Sequence, residues 1–198
     1  EDILHGYYHP ITKARLTAGL DAEGNVDALH VRISGQSILA TLIPQGLRDG
    51  MDPVVFQALA AEGDHALSYT VPNLLVDHAM RNTHLTPGFW RGVNVNQNAI
   101  YLECFVDELA HETGQDPLAF RQKMMRNHPL ALAVLNKVAE KAEWDKPAPA
   151  GRHRGLSVCK AFGSYVAACA EVSVSADGKL TMHRIFAATD PGYAVNPQ

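Results

Sequence analysis

Residues 13–40, KARLTAGLDAEGNVDALHVRISGQSILA, contain two runs of partly alternating apolar and polar positions around the polar stretch DAEGN. A period of two predicts a β-hairpin, with Gly24 or Asn25 supplying a positive φ at the turn. Residues 41–53 show no period and read as a loop. Asp52 followed by Pro53 predicts a short helix over 53–62, because an aspartate caps orphan amides and proline suits the first turn. A strand pattern lies within 69–85, with Pro72 confined to its start because it cannot donate to a ladder.

Past residue 95 the period changes. Ala99, Leu102, Phe105, Val106, Leu109 and Ala110 share one arc at 3.6 residues per turn, which predicts an amphipathic helix. Glu103, Asp107, Glu108 and His111 read as its solvated face, and Gly114 as its C′ residue. Asp116-Pro117 predicts a second helix through LAFRQKMMRN, and Pro129 a third through LALAVLNKVAEKAEW. DKPAPAGRHRG (145–155) reads as a linker. Strand character then returns in LSVCKAFGSYVAACAEVSV and LTMHRIFAATD, joined by a turn containing Asp177-Gly178. The chain thus reads as β-rich over 1–86, helical over 95–144 and β-rich over 156–198. Grouped rather than alternating elements predict an α+β fold, with sheet segments flanking about three helices.

Composition narrows the function. Of 198 residues 46% are hydrophobic and 19% charged, enough apolar material for a core, and the net charge is −4. The absence of a basic stripe argues against nucleic acid. No apolar run reaches the roughly 18 residues of a membrane span. The three cysteines, Cys104, Cys159 and Cys169, lack C-x-x-C spacing and read as small buried hydrophobes. His5 and His9 are four apart, but Pro10 argues against the helix that would turn this spacing into a ligand pair. HETGQ (111–115) has Gln115 where a zinc-protease signature needs its second histidine, so no metal ligand set is predicted. Ser164 follows a glycine without an identifiable base, and reads as a strand residue.

The chemically interesting stretch is GFWRGVNVNQNA (88–99), just ahead of the long helix. Its residues permit two readings. One is an irregular loop with Trp90 in the core and Arg91 paired to a carboxylate. The other is a binding turn. In it Gly92 lets the backbone approach a ligand, amides ahead of the helix face anionic oxygens, Arg91 adds a fork of donors, and Trp90 excludes water. That set suits an anionic, oxygen-rich cofactor or a developing negative charge.

Three segments together resemble the large subunit of molybdenum hydroxylases, the xanthine dehydrogenase family. They are EDILHGYYHPITKARLTAGLDAEGNVDAL, YTVPN, and WRGVNVNQNAIYLECFVDELAHETGQDPLAFRQK. The likeness is greatest to the isoquinoline 1-oxidoreductase β-subunit and aldehyde dehydrogenase type, which also share FGSYVA..AEVSV and a later D.G..VNP. It is strongest over 86–126 and 161–197 and weak over 41–68.

The resemblance implies that Trp90, Arg91 and Gly92 line a molybdenum site, with Arg91 serving catalysis. It implies molybdenum with molybdopterin cytosine dinucleotide as cofactor. It further implies a small [2Fe–2S] partner subunit, and a substrate that is an N-heteroaromatic carbon or an aldehyde. Val93-Asn94-Val95 replace the family's further glycines, and residues 54–68 contain no arginine, so purine substrates are not expected. The family's G-G-G-F-G, M-G-Q-G and G-V-G-E-P segments, the last with its catalytic glutamate, are absent from this sequence. The 198 residues are therefore expected to be one internal fragment of a molybdopterin-binding domain. The fragment is expected to be inactive and cofactor-free alone, and to expose an apolar patch where the rest of the protein packs. A non-catalytic scaffold that kept the fold is the competing expectation. Compartment is not legible.

Overall fold

The computed structural model describes residues 6–196, apart from the side chain of Asp64. His5 and Pro197, both used in the reading above, lie outside the described residues. The chain divides into two compact units, residues 1–67 with 71–102 and residues 68–70 with 103–198. Among the described residues, two three-stranded sheets and four α-helices make the fold α+β, as the grouped pattern predicts.

In the first unit β1 (Thr12–Leu20) and β2 (Val26–Gly35) form the expected hairpin. Asp21 organises its turn, accepting from the Glu23 and Asn25 amides, and Gly24 takes φ +73°. Leu29, Val31 and Ile33 alternate onto one buried face of β2. Burying such side chains contributes about 1.5–3 kcal/mol each. β3 (Asn73–Met80) pairs with β2 in parallel. Parallel pairing needs a long crossover, and the stretch between β2 and β3 supplies it. That crossover is not the plain loop expected over 41–53. It opens with α1 (Ile38–Leu42), capped by Ser37, and continues through 3₁₀ turns at Pro44–Gly46 and Pro53–Phe56. Asp52 caps the second of these, as read, but the predicted helix closes after one turn. Buried Asp52 also accepts from the Ser37 hydroxyl and the Leu39 amide, so one carboxylate ties two turns together.

α2 (Val95–Glu112) contributes residues to both units. Its end follows the reading, with Gly114 at φ +63° and the Gln115 amide bonded back to Ala110 O. In the second unit α3 (Pro117–Met124) is capped by Asp116, whose carboxylate accepts from the Leu118 and Ala119 amides. α4 (Pro129–Lys141) lies against an antiparallel sheet of β4 (His153–Ala161), β5 (Ser164–Val174) and β6 (Leu180–Asp190). Phe162-Gly163, both at positive φ, form the two-residue β4–β5 turn. Leu156, Val158, Ala167 and Cys169 are buried on one sheet face. On the other, Met182 and Ile185 remain exposed.

Two readings of side chains need correction. Cys104 is exposed and Cys159 half-exposed, and only Cys169 is a buried hydrophobe. Glu103 is buried rather than solvated. It stands seven residues before Ala110, about 20° from it around the axis, and so lies just past the edge of the apolar arc.

Candidate functional site

The 88–94 turn belongs to the first unit and is held from several sides. The Gly88 amide donates to Tyr8 O, and a Cβ on Gly88 would lie 2.4 Å from Tyr7 Cβ, so only glycine fits. The Val93 amide closes back on Trp90 O at 2.7 Å, and the Val95 amide on Gly92 O at 2.9 Å. This winding puts Gly92 at φ +86° and Val93 at φ +50°. Glycine adopts that region freely, whereas a β-branched residue there stores strain of about 1–3 kcal/mol. The Val93 carbonyl accepts a hydrogen bond from His9 Nε2 at 3.0 Å.

The asparagines that make this stretch unusual are braces. Buried Asn94 donates from its backbone amide to Gln57 Oε1 and from Nδ2 to Val54 O. Buried Asn98 donates from Nδ2 to both Val55 O and Gln57 O at 2.8 Å. Asn96 donates to Arg91 O at 2.7 Å. The Asn96 side chain also occupies the place where a Cβ on Gly92 would sit, with Oδ1 2.1 Å from it. The glycine requirement at 92 therefore comes from the turn's own packing. Asn94 and Asn98 have the i, i+4 spacing of one helix face, a signal available in the sequence. His9 gave no such signal, because its partner is 84 residues away.

The three residues singled out from sequence are adjacent here. Trp90 is 61% exposed, next to Phe89 at 50%, so it is not core. Arg91 is exposed, and among the described residues its guanidinium makes no ion pair or hydrogen bond. The amides of residues 89–92 likewise have no hydrogen-bond partner among the described residues. Gln97, in the first turn of α2, has a buried Oε1 with no partner. A free guanidinium and a run of free amides form a donor-rich set, to which the Gln97 oxygen, an acceptor, adds nothing. Such a set fits an anionic group carrying many oxygens.

Glu103 and Asp107, read from sequence as part of a solvated helix face, belong to a cluster in the second unit. Arg121, with no exposed surface, uses all five of its N–H donors. Nε binds Glu103 Oε2, and Nη1 binds Asp107 Oδ1 and Pro117 O. Nη2 binds Glu103 O and Leu156 O. Glu103 in turn accepts from the Tyr69 hydroxyl at 2.7 Å and the Val158 amide at 3.1 Å. Burial works against the guanidinium charge, but the Glu103 and Asp107 carboxylates outweigh it and raise the Arg121 pKa. Burial and then the Glu103 charge push the Tyr69 phenol well above its usual range, so it remains a donor. With no donor left over, this cluster ties α2, α3 and β4 together and offers nothing to a substrate. Among the described residues no group of three or more His, Cys, Asp or Glu side chains could hold a metal ion.

Residues 1–125 match the family described as the molybdopterin cofactor-binding domain. The chain is 24% identical to the isoquinoline 1-oxidoreductase β-subunit of Brevundimonas diminuta, over 100% of this chain and 25% of that protein. It is 30% identical to a nicotinate dehydrogenase subunit of Pseudomonas putida, over 92% of this chain and 17% of that protein. Against the membrane-bound aldehyde dehydrogenase [pyrroloquinoline-quinone] of Gluconacetobacter polyoxogenes the figures are 26% identity, 100% and 28%. The chain thus spans about a quarter or less of the length of these relatives. Among solved structures, the aldehyde oxidoreductase of Desulfovibrio gigas shares the fold at a TM-score of 0.53 and 19% identity. That match covers 88% of this chain and 21% of the other. Since the family match takes in more than half of its residues, the chain belongs to the molybdopterin cofactor-binding domain family.

Proposed function

We propose that this chain forms one wall of the molybdenum cofactor site in the large subunit of an oxidoreductase, and that Arg91 is the residue through which it serves the reaction. The bound cofactor would supply the two-electron oxidation of the substrate, using oxygen derived from water. The chain's own part is electrostatic and positional. Arg91 and the free amides of residues 89–92 would hold anionic oxygens of the cofactor, or negative charge developing beside it. Trp90 would keep water from the same spot, and the braced turn would fix where these groups point.

The observation that carries this reading is the unpaired Arg91 guanidinium on a turn that is strained, braced and open to solvent. The names of the similar proteins favour an N-heteroaromatic carbon or an aldehyde as the point of oxidation. The cytosine dinucleotide form of the cofactor and a [2Fe–2S] partner subunit belong to the same proposal. So does the reading of these 198 residues as one internal, β-rich, helical and again β-rich segment that is inactive alone. The test is Arg91→Ala in the full-length protein, with molybdenum content and turnover measured together. Turnover should fall while the protein stays folded. Unchanged turnover at full metal loading would remove Arg91 from the site.

A further inference from the structure

We infer that His9 is a positioning residue for the Arg91 turn, acting as a clasp on the strained backbone of Val93; this rests on the function proposed above. Three observations meet at one carbonyl. Val93 has φ +50°, a conformation its branched side chain resists. Its amide is used in closing the turn on Trp90 O. Its carbonyl takes the His9 Nε2 hydrogen bond at 3.0 Å, across 84 residues of sequence. A carbonyl oxygen only accepts, so Nε2 carries the proton. The neutral Nε2–H tautomer and the imidazolium can both donate there, and the clasp holds in either charge state.

Neighbouring braces do not duplicate this contact. Asn94 and Asn98 anchor the helix side of the turn to residues 54–57, and Asn96 holds Arg91 O. None of them touches the Val93 carbonyl. The strand side is held by the Tyr8–Pro87 bridge, next to His9 in sequence. His9 therefore couples the 7–9 segment to the one residue in the turn whose backbone would otherwise relax. Relaxing Val93 would swing the closure on Trp90 O, and with it the direction of Arg91.

The experiment compares His9→Gln with His9→Met in the full-length protein. The two side chains have nearly the same reach, and only Gln can donate. Exchange of the amides of residues 93–95 is followed by hydrogen–deuterium mass spectrometry, and turnover is measured at known molybdenum content. His9→Met should speed exchange roughly 3- to 10-fold and lower kcat about 10- to 100-fold, with KM little changed. His9→Gln should stay near wild type in both. Adding Val93→Gly to His9→Met should restore slow exchange, because glycine rests in the same conformation without help. Wild-type exchange in His9→Met would overturn the clasp, even if Arg91→Ala abolishes turnover and the proposed function stands. Faster exchange with unchanged kcat, where Arg91→Ala does lower kcat, would overturn the positioning role. If neither variant alters kcat, the proposed function fails and the positioning role with it.

Discussion

Arg91 and Arg121 carry the same side chain and are treated in opposite ways. Arg121 is sealed in the second unit with every donor used and two carboxylates facing it. Arg91 is exposed in the first unit with none of its side-chain donors engaged among the described residues, on a turn held in a costly conformation. Around Arg121 the polar groups satisfy the charge. Around Arg91 they satisfy the backbone and leave the charge alone. A saturated cation holds a fold together, whereas one left free on a braced support is available to something else.

The largest expected effect lies on the buried side of this contrast. Arg121→Ala should cost about 3–5 kcal/mol of stability, because Glu103 would be left buried with its main partner gone. A urea unfolding midpoint measures it, and a small shift would mean that the cluster is not a keystone. Arg91→Ala should do the reverse, sparing the unfolding midpoint while removing roughly 2–4 kcal/mol of transition-state stabilisation from the full-length protein. A loss of stability as large as that of Arg121→Ala would erase the distinction. Tyr69→Phe removes one hydrogen bond to a buried carboxylate and should cost about 1.5–3 kcal/mol in the same unfolding assay. Gly92→Ala forces a Cβ into the left-handed region and against Asn96, for roughly 1–2 kcal/mol. It should also disturb Arg91, so turnover and stability would fall together.

The smallest effect is one of pH. Arg184, with help from Arg152, hydrogen-bonds the Glu171 carboxylate and holds its pKa at about 2, below its ordinary 4.5. A depressed carboxylate pKa adds stability that is fully present above the unfolded-state value and is lost as pH falls toward 2. Glu171→Gln should therefore flatten the dependence of the unfolding midpoint on pH between about 5 and 2. An unchanged slope would show that the two arginines do not grip it.

Much of the fold was legible because it is locally encoded. The Asp21 hairpin turn, the Asp116-Pro117 helix start and the Gly114 stop each depend on residues within a few positions of one another. The adjacency of Trp90, Arg91 and Gly92 was legible for the same reason. What escaped was long-range. The parallel pairing of β2 with β3 depends on a crossover whose short helix and 3₁₀ turns carry no strong period. The burial of Glu103 was in principle readable from its seven-residue offset to Ala110. It became chemically acceptable only because Tyr69, Arg121 and Val158 arrive from three other segments.

By itself, the order of residues determined the caps, turns and apolar arcs, and it placed a guanidinium beside a glycine ahead of a long helix. Those outcomes follow from steric and hydrogen-bonding preferences that act within one or two turns of chain. Tertiary structure alone decided which arginine is saturated and which is free, and that a histidine near the start of the chain grips Val93. Only the folded chain brings His9 to Val93, or Leu156 to Arg121, within the roughly 3 Å over which a hydrogen bond acts.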